Sequence, residues 1–198
     1  MKKILLISLA SLSAFSQTSN IFEPIDVFDL EYISNPQISP SGDKVLYQRN
    51  FNDIMTDQSF SNIWLIDYDG NNNRPITTGN FKDNSPKWSN QGDKFLFKSN
   101  REGKSQIFLF DLNNNSIQKL TNFQYSIESI QWSPNDKYIL FSSFIDSERD
   151  TLIEMPDKPK GAKWNDPPVE ISDLNYRYDS SGFRKPGEVQ FFTIPVNG

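Results

Sequence analysis

The chain of 198 residues contains neither cysteine nor histidine. The absence of cysteine excludes disulfides, thiolate metal sites, a thiol nucleophile and lipidation of an N-terminal cysteine. The absence of histidine excludes a Ser-His-Asp triad, and the sequence G-x-S-x-G of a nucleophile elbow does not occur either. We therefore predict that none of these residues is catalytic.

Positive charge is also scarce in this chain. Lysine and arginine number 20 against 25 aspartates and glutamates, which gives a formal net charge of -5 at pH 7. An acidic chain without a basic run lacks the surface that neutralises phosphates, so we predict no nucleic-acid partner.

The longest apolar stretch lies at the very start of the chain. The sequence "MKKILLISLASLSAFSQ" has two lysines, an apolar stretch over residues 4–12, and small residues at Ala14 and Ser16 before Gln17. This pattern predicts a signal peptide over residues 1–16 and a periplasmic or secreted protein. The alternative is an uncleaved anchor, although the apolar stretch is short for a stable membrane span. After cleavage we expect no membrane contact.

Three similar segments recur along the rest of the chain. They read "SPSGDKVLYQRN" from Ser39, "SNQGDKFLFKSN" from Ser89 and "SPNDKYILFSS" from Ser133. The first two are followed by a second apolar run, a turn rich in Asp, Asn and Gly, and a short final strand pattern. Four strands in a unit of about 45 residues are typical of a propeller blade.

The repeat predicts an all-β, incomplete β-propeller over residues 36–198. We expect blade repeats to start near residues 36, 86 and 130, giving about three four-stranded blades plus the start of a fourth. Residues 17–35 form a lead-in in which "FEPIDVFDLEYIS" suggests a short helix. Because three blades do not close a ring, we expect the chain to be the beginning of a longer protein.

The third blade is interrupted by an insertion over residues 150–188, rich in Pro and Gly. An ordered insertion of this length is more often functional than accidental. It carries four aromatic residues that we expect to be buried: Trp164, Tyr176, Tyr178 and Phe183.

Trp164, Tyr176 and Arg177 are the candidate substrate-binding residues of the insertion. Trp164 is expected either to pack or to stack on a ligand. Arg177, between two tyrosines, suits a carboxylate ligand. The alternative is that Arg177 pairs with Asp173 or Asp179 and fixes the loop.

The segment "DYDGNNN", residues 67–73, places side-chain oxygens at calcium-like spacing. The glycine comes one position early and the closing glutamate is missing, so a hairpin turn is the better interpretation. We predict no metal site and no cofactor.

The segments "NPQISPSGDKVLYQRN", "SPKWSNQGDKFLFKSNREGKSQIFLFD" and "IQWSPNDKYILFSS" resemble the N-terminal propeller of prolyl oligopeptidase family serine peptidases. The acylaminoacyl-peptidase and dipeptidyl-aminopeptidase-like subgroup is the most similar. TolB-like propellers share this strand signature, but the lead-in and the insertion favour the peptidases. Two departures are Asn90-Gln91, which replace Pro-Asp, and Asn135, which replaces the usual Asp-Gly turn.

This resemblance implies a function for the longer protein. The propeller would restrict access to an α/β-hydrolase domain that follows it, and the protein would hydrolyse peptide bonds in oligopeptides. The nucleophilic Ser, the Asp and the His would all lie outside these residues. The implied partners are this downstream domain and peptide substrates. A TolB-like propeller that binds proteins without catalysis is the alternative.

Overall fold

The computed structural model describes residues 21–147, 156–165, 171, 174, 176–179 and 182–197. The predicted signal peptide, residues 1–16, lies outside the described residues, as does Asp173 in the insertion. Within the described part of the chain, no helix has the length and apolarity needed to cross a membrane.

The described residues form one short 3-10 helix, Pro24–Asp29, and a series of strands. The strands are β1 (Tyr32–Ile38), β2 (Lys44–Asp53), β3 (Gln58–Asp67), β4 (Arg74–Pro75), β5 (Asn84–Trp88), β6 (Lys94–Ser99), β7 (Gln106–Asp111), β8 (Ser116–Lys119), β9 (Ile127–Trp132), β10 (Tyr138–Asp146), β11 (Arg177–Tyr178), β12 (Gly182–Phe183) and β13 (Gly187–Pro195).

These strands form successive antiparallel sheets, which confirms the predicted all-β propeller architecture. Blade 1 has the order β1-β2-β3-β4 and blade 2 has the order β5-β6-β7-β8. Blade 3 has the order β13-β10-β9, and β11 and β12 form a separate hairpin within the insertion. The described residues thus build two four-stranded blades and a three-stranded third blade.

The repeated dozen residues form the same turn in each blade. In blade 1, the hydroxyl of Ser39 donates to the carboxylate of Asp43 and accepts from the backbone N–H of Lys44. The serine N–H also donates to the lysine carbonyl at 2.8 Å, which closes the turn. The equivalent serine hydroxyls accept backbone N–H groups in the other two blades, through the pairs Ser89–Lys94 and Ser133–Tyr138.

Each of these turns needs one residue with positive φ. Gly42 and Gly92 hold φ values of 77° and 74° in blades 1 and 2. Asp136 holds φ 54° at the same position of blade 3. Aspartate tolerates this left-handed conformation better than most residues, so the turn forms without glycine.

The core lies between the blades rather than within them. Strand β6 illustrates this, because its successive side chains point to opposite faces and both faces are covered. Phe95 and Phe97 are fully buried against Leu46 and Ile63 of blade 1. Leu96 belongs to a second cluster with the blade 3 residues Ile127, Ile130, Trp132, Ile139 and Phe141. Each blade therefore stabilises its neighbour by hydrophobic burial.

Two tryptophans join consecutive blades at their innermost strands. The indole N–H of Trp88 donates to the carbonyl of Gln37 at 3.0 Å, and that of Trp132 donates to the carbonyl of Lys87 at 2.9 Å. Both tryptophans end the first strand of their blade, so the contact repeats with the fold.

The lead-in is less helical than "FEPIDVFDLEYIS" suggests. Its helix is a single 3-10 segment that ends at Asp29, and none of its residues is buried. Tyr32 already belongs to β1, where it pairs with Asn50. Strand β1 reaches this far back because a bulge between Ser34 and Gln37, with Asn35 at φ 50°, lets pairing resume before Pro36.

Candidate functional site: the insertion and its end of the propeller

The insertion leaves blade 3 and returns to it at one point. Strand β10 ends at Asp146, directly opposite Gly187, where β13 begins. The N–H of Ser147 donates to the carbonyl of Pro186 at 3.1 Å and extends this pairing by one step. Gly187 has φ 147°, and a Cβ there would collide with the carbonyl oxygen of Ile145. Glycine is therefore required where the chain re-enters the blade.

The direction of the strands places this insertion among particular loops. The insertion connects the second and third strands of blade 3 in spatial order. The same connection in blade 1 is residues 54–57, and in blade 2 it is residues 100–105. Because equivalent strands run in the same direction, all three connections open at one end of the stack, which we call the insertion end.

The aromatic side chains of the insertion are exposed, contrary to the expectation from the sequence. Trp164 is 45% exposed, Tyr176 is 44%, Tyr178 is 53% and Phe183 is 52%. Tyr176 and Phe183 stack on each other with ring centroids 6.3 Å apart. These rings therefore contribute to a surface instead of a core.

Arg177 lies beside this stacked pair. It is exposed on β11, and its backbone is in register with Phe183 on β12. Among the described residues, no ion pair joins Arg177 to Asp179. Tyr176 and Arg177 are neighbours in the sequence, and Trp164 makes no ring contact with the other described aromatic residues.

The described part of the insertion is basic, although the chain as a whole is acidic. Residues 156–165 contain three lysines and one aspartate. Arg177 on β11, with Arg184 and Lys185 after β12, adds further positive charge. Guanidinium groups bind carboxylates, and exposed aromatic rings bind apolar side chains. Peptides have this chemistry.

A buried ion pair at the insertion end escaped the sequence analysis. Asp83 is fully buried, and its carboxylate accepts a hydrogen bond from Arg101 at 2.9 Å. The Arg101 guanidinium also lies over the rings of Phe97 and Phe108, 5.5 and 4.9 Å from their centroids. The N–H of Asp83 donates to the carbonyl of Ser61, so the pair links blade 2 to blade 1.

A second charged group is partly buried between blades 2 and 3. The ammonium of Lys98 donates to the backbone carbonyl of Glu128. Burial lowers the pKa of Lys98, and the negative charge of Glu128 opposes that shift. Nearby, the innermost strands line a cavity of about 160 Å³ with polar residues that include Asn35, Lys87 and Ser129.

The opposite end of the stack carries a cavity of about 450 Å³ between the repeated turns of blades 2 and 3. At the same end, the predicted hairpin "DYDGNNN" is a turn whose oxygens already have amide donors. Asp69 accepts the backbone N–H of Asn71 at 3.0 Å, which lowers its pKa, and Asp67 accepts the side-chain amide of Asn72. The described residues contain no cluster of three metal-ligating side chains.

Comparison with known proteins identifies a matching domain family and two similar peptidases. The family of TolB beta propeller domains matches residues 23–158. Dipeptidyl-peptidase 5 of Porphyromonas gingivalis is 33% identical over 166 residues, covering 84% of this chain and 24% of that protein. The "uncharacterized peptidase YuxL" of Bacillus subtilis is 26% identical over 172 residues, covering 86% of this chain and 26% of that protein.

Solved structures show the same fold. The acylaminoacyl peptidase of Pyrococcus horikoshii superposes with a TM-score of 0.62 at 21% identity, covering 86% of this chain and 24% of that one. An acylaminoacyl peptidase in complex with Z-Gly-Gly-Phe-chloromethyl ketone gives a TM-score of 0.63 at 20% identity. This chain spans about a quarter of the length of these relatives. With its three stacked blades and a family match over residues 23–158, the chain belongs to the TolB β-propeller family.

Proposed function

We propose that this chain is the N-terminal propeller portion of an exported serine-type peptidase that hydrolyses oligopeptides. The observation that carries the proposal is the 33% identity to dipeptidyl-peptidase 5 over 84% of this chain, within only 24% of that relative. A chain without histidine cannot build the triad itself, so the catalytic residues would belong to an α/β-hydrolase domain that follows.

In this proposal the propeller acts as a cap that limits which substrates reach the hydrolase domain. Its blades are held by buried side chains and by the indole hydrogen bonds between neighbours, so they resist separation. A rigid stack of this kind excludes folded proteins by size, whereas short extended peptides pass it. Selectivity for oligopeptides follows from geometry without any catalytic residue in the cap.

The insertion would contact the peptide in this arrangement. Its exposed stacked pair, Tyr176 and Phe183, offers apolar surface, and the adjacent Arg177 offers a bidentate partner for a carboxylate. The predicted signal peptide supports export to the periplasm or beyond the cell. The peptide contact of the insertion and the export of the protein both belong to the proposed function.

The test is to express the longer reading frame that contains this chain and treat the product with a fluorophosphonate probe. The proposal expects covalent labelling of one serine outside these residues and hydrolysis of short peptides, but not of folded proteins. The matched control is the same protein with the labelled serine replaced by alanine, which must lose both. A full-length product that neither reacts with the probe nor cleaves peptides would refute the proposal.

The family match supports a second candidate, a propeller that binds proteins without catalysis. If this candidate is right, the full-length protein forms stable complexes with protein partners and does not react with the fluorophosphonate probe. The same labelling experiment therefore separates the two candidates.

A further inference from the structure

A cavity lies between the repeated turns of blades 2 and 3, at the end of the stack opposite the insertion. We call it the turn cavity. Its volume of about 450 Å³ falls within the range of about 300–1,000 Å³ that is usual for small-molecule sites. Trp132 and Val196 of blade 3 line it with apolar surface, and Lys94 of blade 2 and Lys137 of blade 3 also line it.

The turn of blade 3 carries a lysine where the turns of the other blades carry an aspartate. Asp43 and Asp93 each accept a hydrogen bond from the hydroxyl of the turn serine in blades 1 and 2. In blade 3 the serine hydroxyl donates to the amide oxygen of Asn135, and Lys137 takes the place of the aspartate. Because the turn closes with aspartate in two blades, the fold itself does not require this lysine.

A second departure from the repeat lies beside this turn. The cross-strand pair next to it joins a lysine to an aspartate in blades 1 and 2, through Lys44–Asp67 and Lys94–Asp111. The same pair in blade 3 is Tyr138–Pro195. Together with the turn residue, these positions hold one lysine and two aspartates in blades 1 and 2, but a single lysine and no carboxylate in blade 3. The departures therefore remove negative charge beside the turn cavity.

Two carboxylates of the described residues still line the cavity, and both already have hydrogen-bond donors. The carboxylate of Asp136 accepts from the backbone N–H groups of Asn90 and Gln91. The carboxylate of Asp93 accepts from the hydroxyl of Ser89 at 3.0 Å. These bonds disperse the negative charge of both groups and hold them in the turns.

The two lysines of the cavity have no close carboxylate partner. The ammonium of Lys94 lies 4.0 Å from the carboxylate of Asp93 and 3.8 Å from that of Asp111, which is longer than a hydrogen bond. Lys137 forms no ion pair with the described residues. A negatively charged ligand can therefore reach both ammonium groups without breaking a close ion pair.

The apolar lining restricts which anions suit the cavity. The indole N–H of Trp132 already donates to the carbonyl of Lys87, so this residue offers a ligand only apolar ring surface. Val196 packs against the same hydrophobic cluster as Trp132. An inorganic anion gains nothing from such a surface, whereas an organic anion with an apolar group removes that group from water there.

We propose that the turn cavity binds a small organic carboxylate. Its charged end contacts Lys94 and Lys137, and its apolar group lies against Trp132 and Val196. The free C-terminus of a short peptide and a free aromatic acid share this chemistry. The site lies at the opposite end of the stack from the insertion, so it is separate from the peptide contact of the proposed function and does not require a hydrolase domain.

The experiment measures binding to the full-length protein by isothermal titration calorimetry. The ligands are acetyl-Leu-Phe with a free carboxylate, the amide of the same peptide, and hydrocinnamate. The protein is first treated with the fluorophosphonate probe, so that a peptidase cannot hydrolyse the peptides. Lys137→Asp places the residue of blades 1 and 2 in blade 3, and Lys94→Gln is a second cavity variant. Lys82→Asp changes an exposed lysine outside the cavity and is the matched control for charge.

We expect the peptide acid to bind about tenfold more tightly than its amide, because only the acid carries the charge that the lysines recognise. Lys137→Asp and Lys94→Gln should each weaken binding of the acid about tenfold, while Lys82→Asp leaves it unchanged. If Lys137→Asp fails to fold, Lys94→Gln alone decides the test. Equally tight binding of hydrocinnamate would support the site with a free acid as its ligand, and binding of the peptide acid alone would support it with a peptide C-terminus.

Three results would overturn this inference. The first is a peptide acid that binds wild type and the cavity variants equally, which would place its site elsewhere. The second is an acid and an amide that bind alike, and the third is no binding of either acid. Because the experiment does not measure hydrolysis, each of these results leaves the proposed function intact.

Discussion

The carboxylate of Asp136 accepts two hydrogen bonds from Asn90, one from its backbone N–H at 3.0 Å and one from its side-chain amide at 2.6 Å. The backbone N–H of Gln91 donates to the other carboxylate oxygen at 3.2 Å. The corresponding residue of blade 1 is Pro40, which has no N–H to donate. Two departures from the repeat therefore compensate each other across the boundary between blades 2 and 3.

This pairing predicts coupled stability effects at the two positions. Asp136→Asn preserves tolerance of positive φ but removes the charge, and Asn90→Ala removes one donor. We expect each variant to lose about 1 kcal/mol of unfolding free energy, and the double variant to lose less than the sum. A double-mutant cycle by urea unfolding measures the coupling. Strict additivity would show that the side chains of Asn90 and Asp136 do not stabilise each other.

The indole of Trp132 allows a matched test of the contact between blades 2 and 3. Trp132→Phe removes the N–H that donates to the carbonyl of Lys87, and we expect a loss of about 1 kcal/mol. Trp64→Phe is the control, because the buried Trp64 N–H has no hydrogen-bond partner among the described residues. Thermal unfolding compares the two variants. If Trp64→Phe lowers the unfolding temperature as much as Trp132→Phe does, the smaller ring rather than the lost hydrogen bond explains both decreases.

The buried pair of Asp83 and Arg101 predicts a large loss when one partner is removed. Asp83→Ala leaves the guanidinium without its carboxylate, and we expect a cost of about 3 kcal/mol, measured by urea unfolding. Lys44→Ala breaks the exposed ion pair with Asp43 and should lower the unfolding free energy far less than Asp83→Ala does. Similar costs for the two variants would mean that burial does not distinguish these pairs.

The turn of blade 1 predicts a pH dependence. Hydrogen bonds from Lys44, Ser41 and Ser39 hold the pKa of Asp43 well below its ordinary value of 3.8. A carboxyl with a lowered folded pKa stabilises the fold fully above that ordinary value, and this stabilisation is lost as the pH falls toward the folded pKa. Asp43→Asn should therefore destabilise the protein at neutral pH and progressively less below about pH 4.

Urea midpoints of wild type and Asp43→Asn, measured from neutral to acidic pH, check this expectation. Asp29→Asn, at the exposed end of the 3-10 helix, is the control. A gap between wild type and Asp43→Asn that stays constant as the pH falls would contradict it.

The proposed peptide contact predicts a change in binding rather than in chemistry. In the full-length peptidase, Arg177→Ala and Trp164→Ala should each raise KM for peptide substrates with little change in kcat, because neither residue reaches the reacting bond. Lys160→Ala, in the same insertion, is the control for loss of positive charge alone. KM is measured by steady-state kinetics. If KM is the same in Arg177→Ala, in Trp164→Ala and in wild type, these two residues do not take part in substrate binding.

The repeated turns could be predicted from the sequence because their chemistry is local. Ser39 and Gly42 lie three residues apart and both act within the same turn. The Asp83 and Arg101 pair could not be predicted in this way, since 18 residues separate them and neither stands in a recognisable motif. Their contact depends on how blade 1 packs on blade 2.

Burial in the insertion was the least predictable property. Aromatic residues such as Trp164 and Phe183 are usually buried, and periodicity offers no correction where strands are only two residues long. The start of β1 at Tyr32 was missed for a related reason. Pro36 suggests the beginning of a strand, whereas pairing continues beyond it through a bulge.

The point where the insertion meets blade 3 bears on how such proteins diversify. Asp146 and Gly187 are neighbours across the sheet, so β10 and β13 pair whatever chain connects them. The connection can then change in length and sequence without disturbing the hydrophobic contacts between blades. We expect that natural variation, or a graft from a relative, at this junction would exchange the surface at the insertion end while the remaining scaffold keeps its stability.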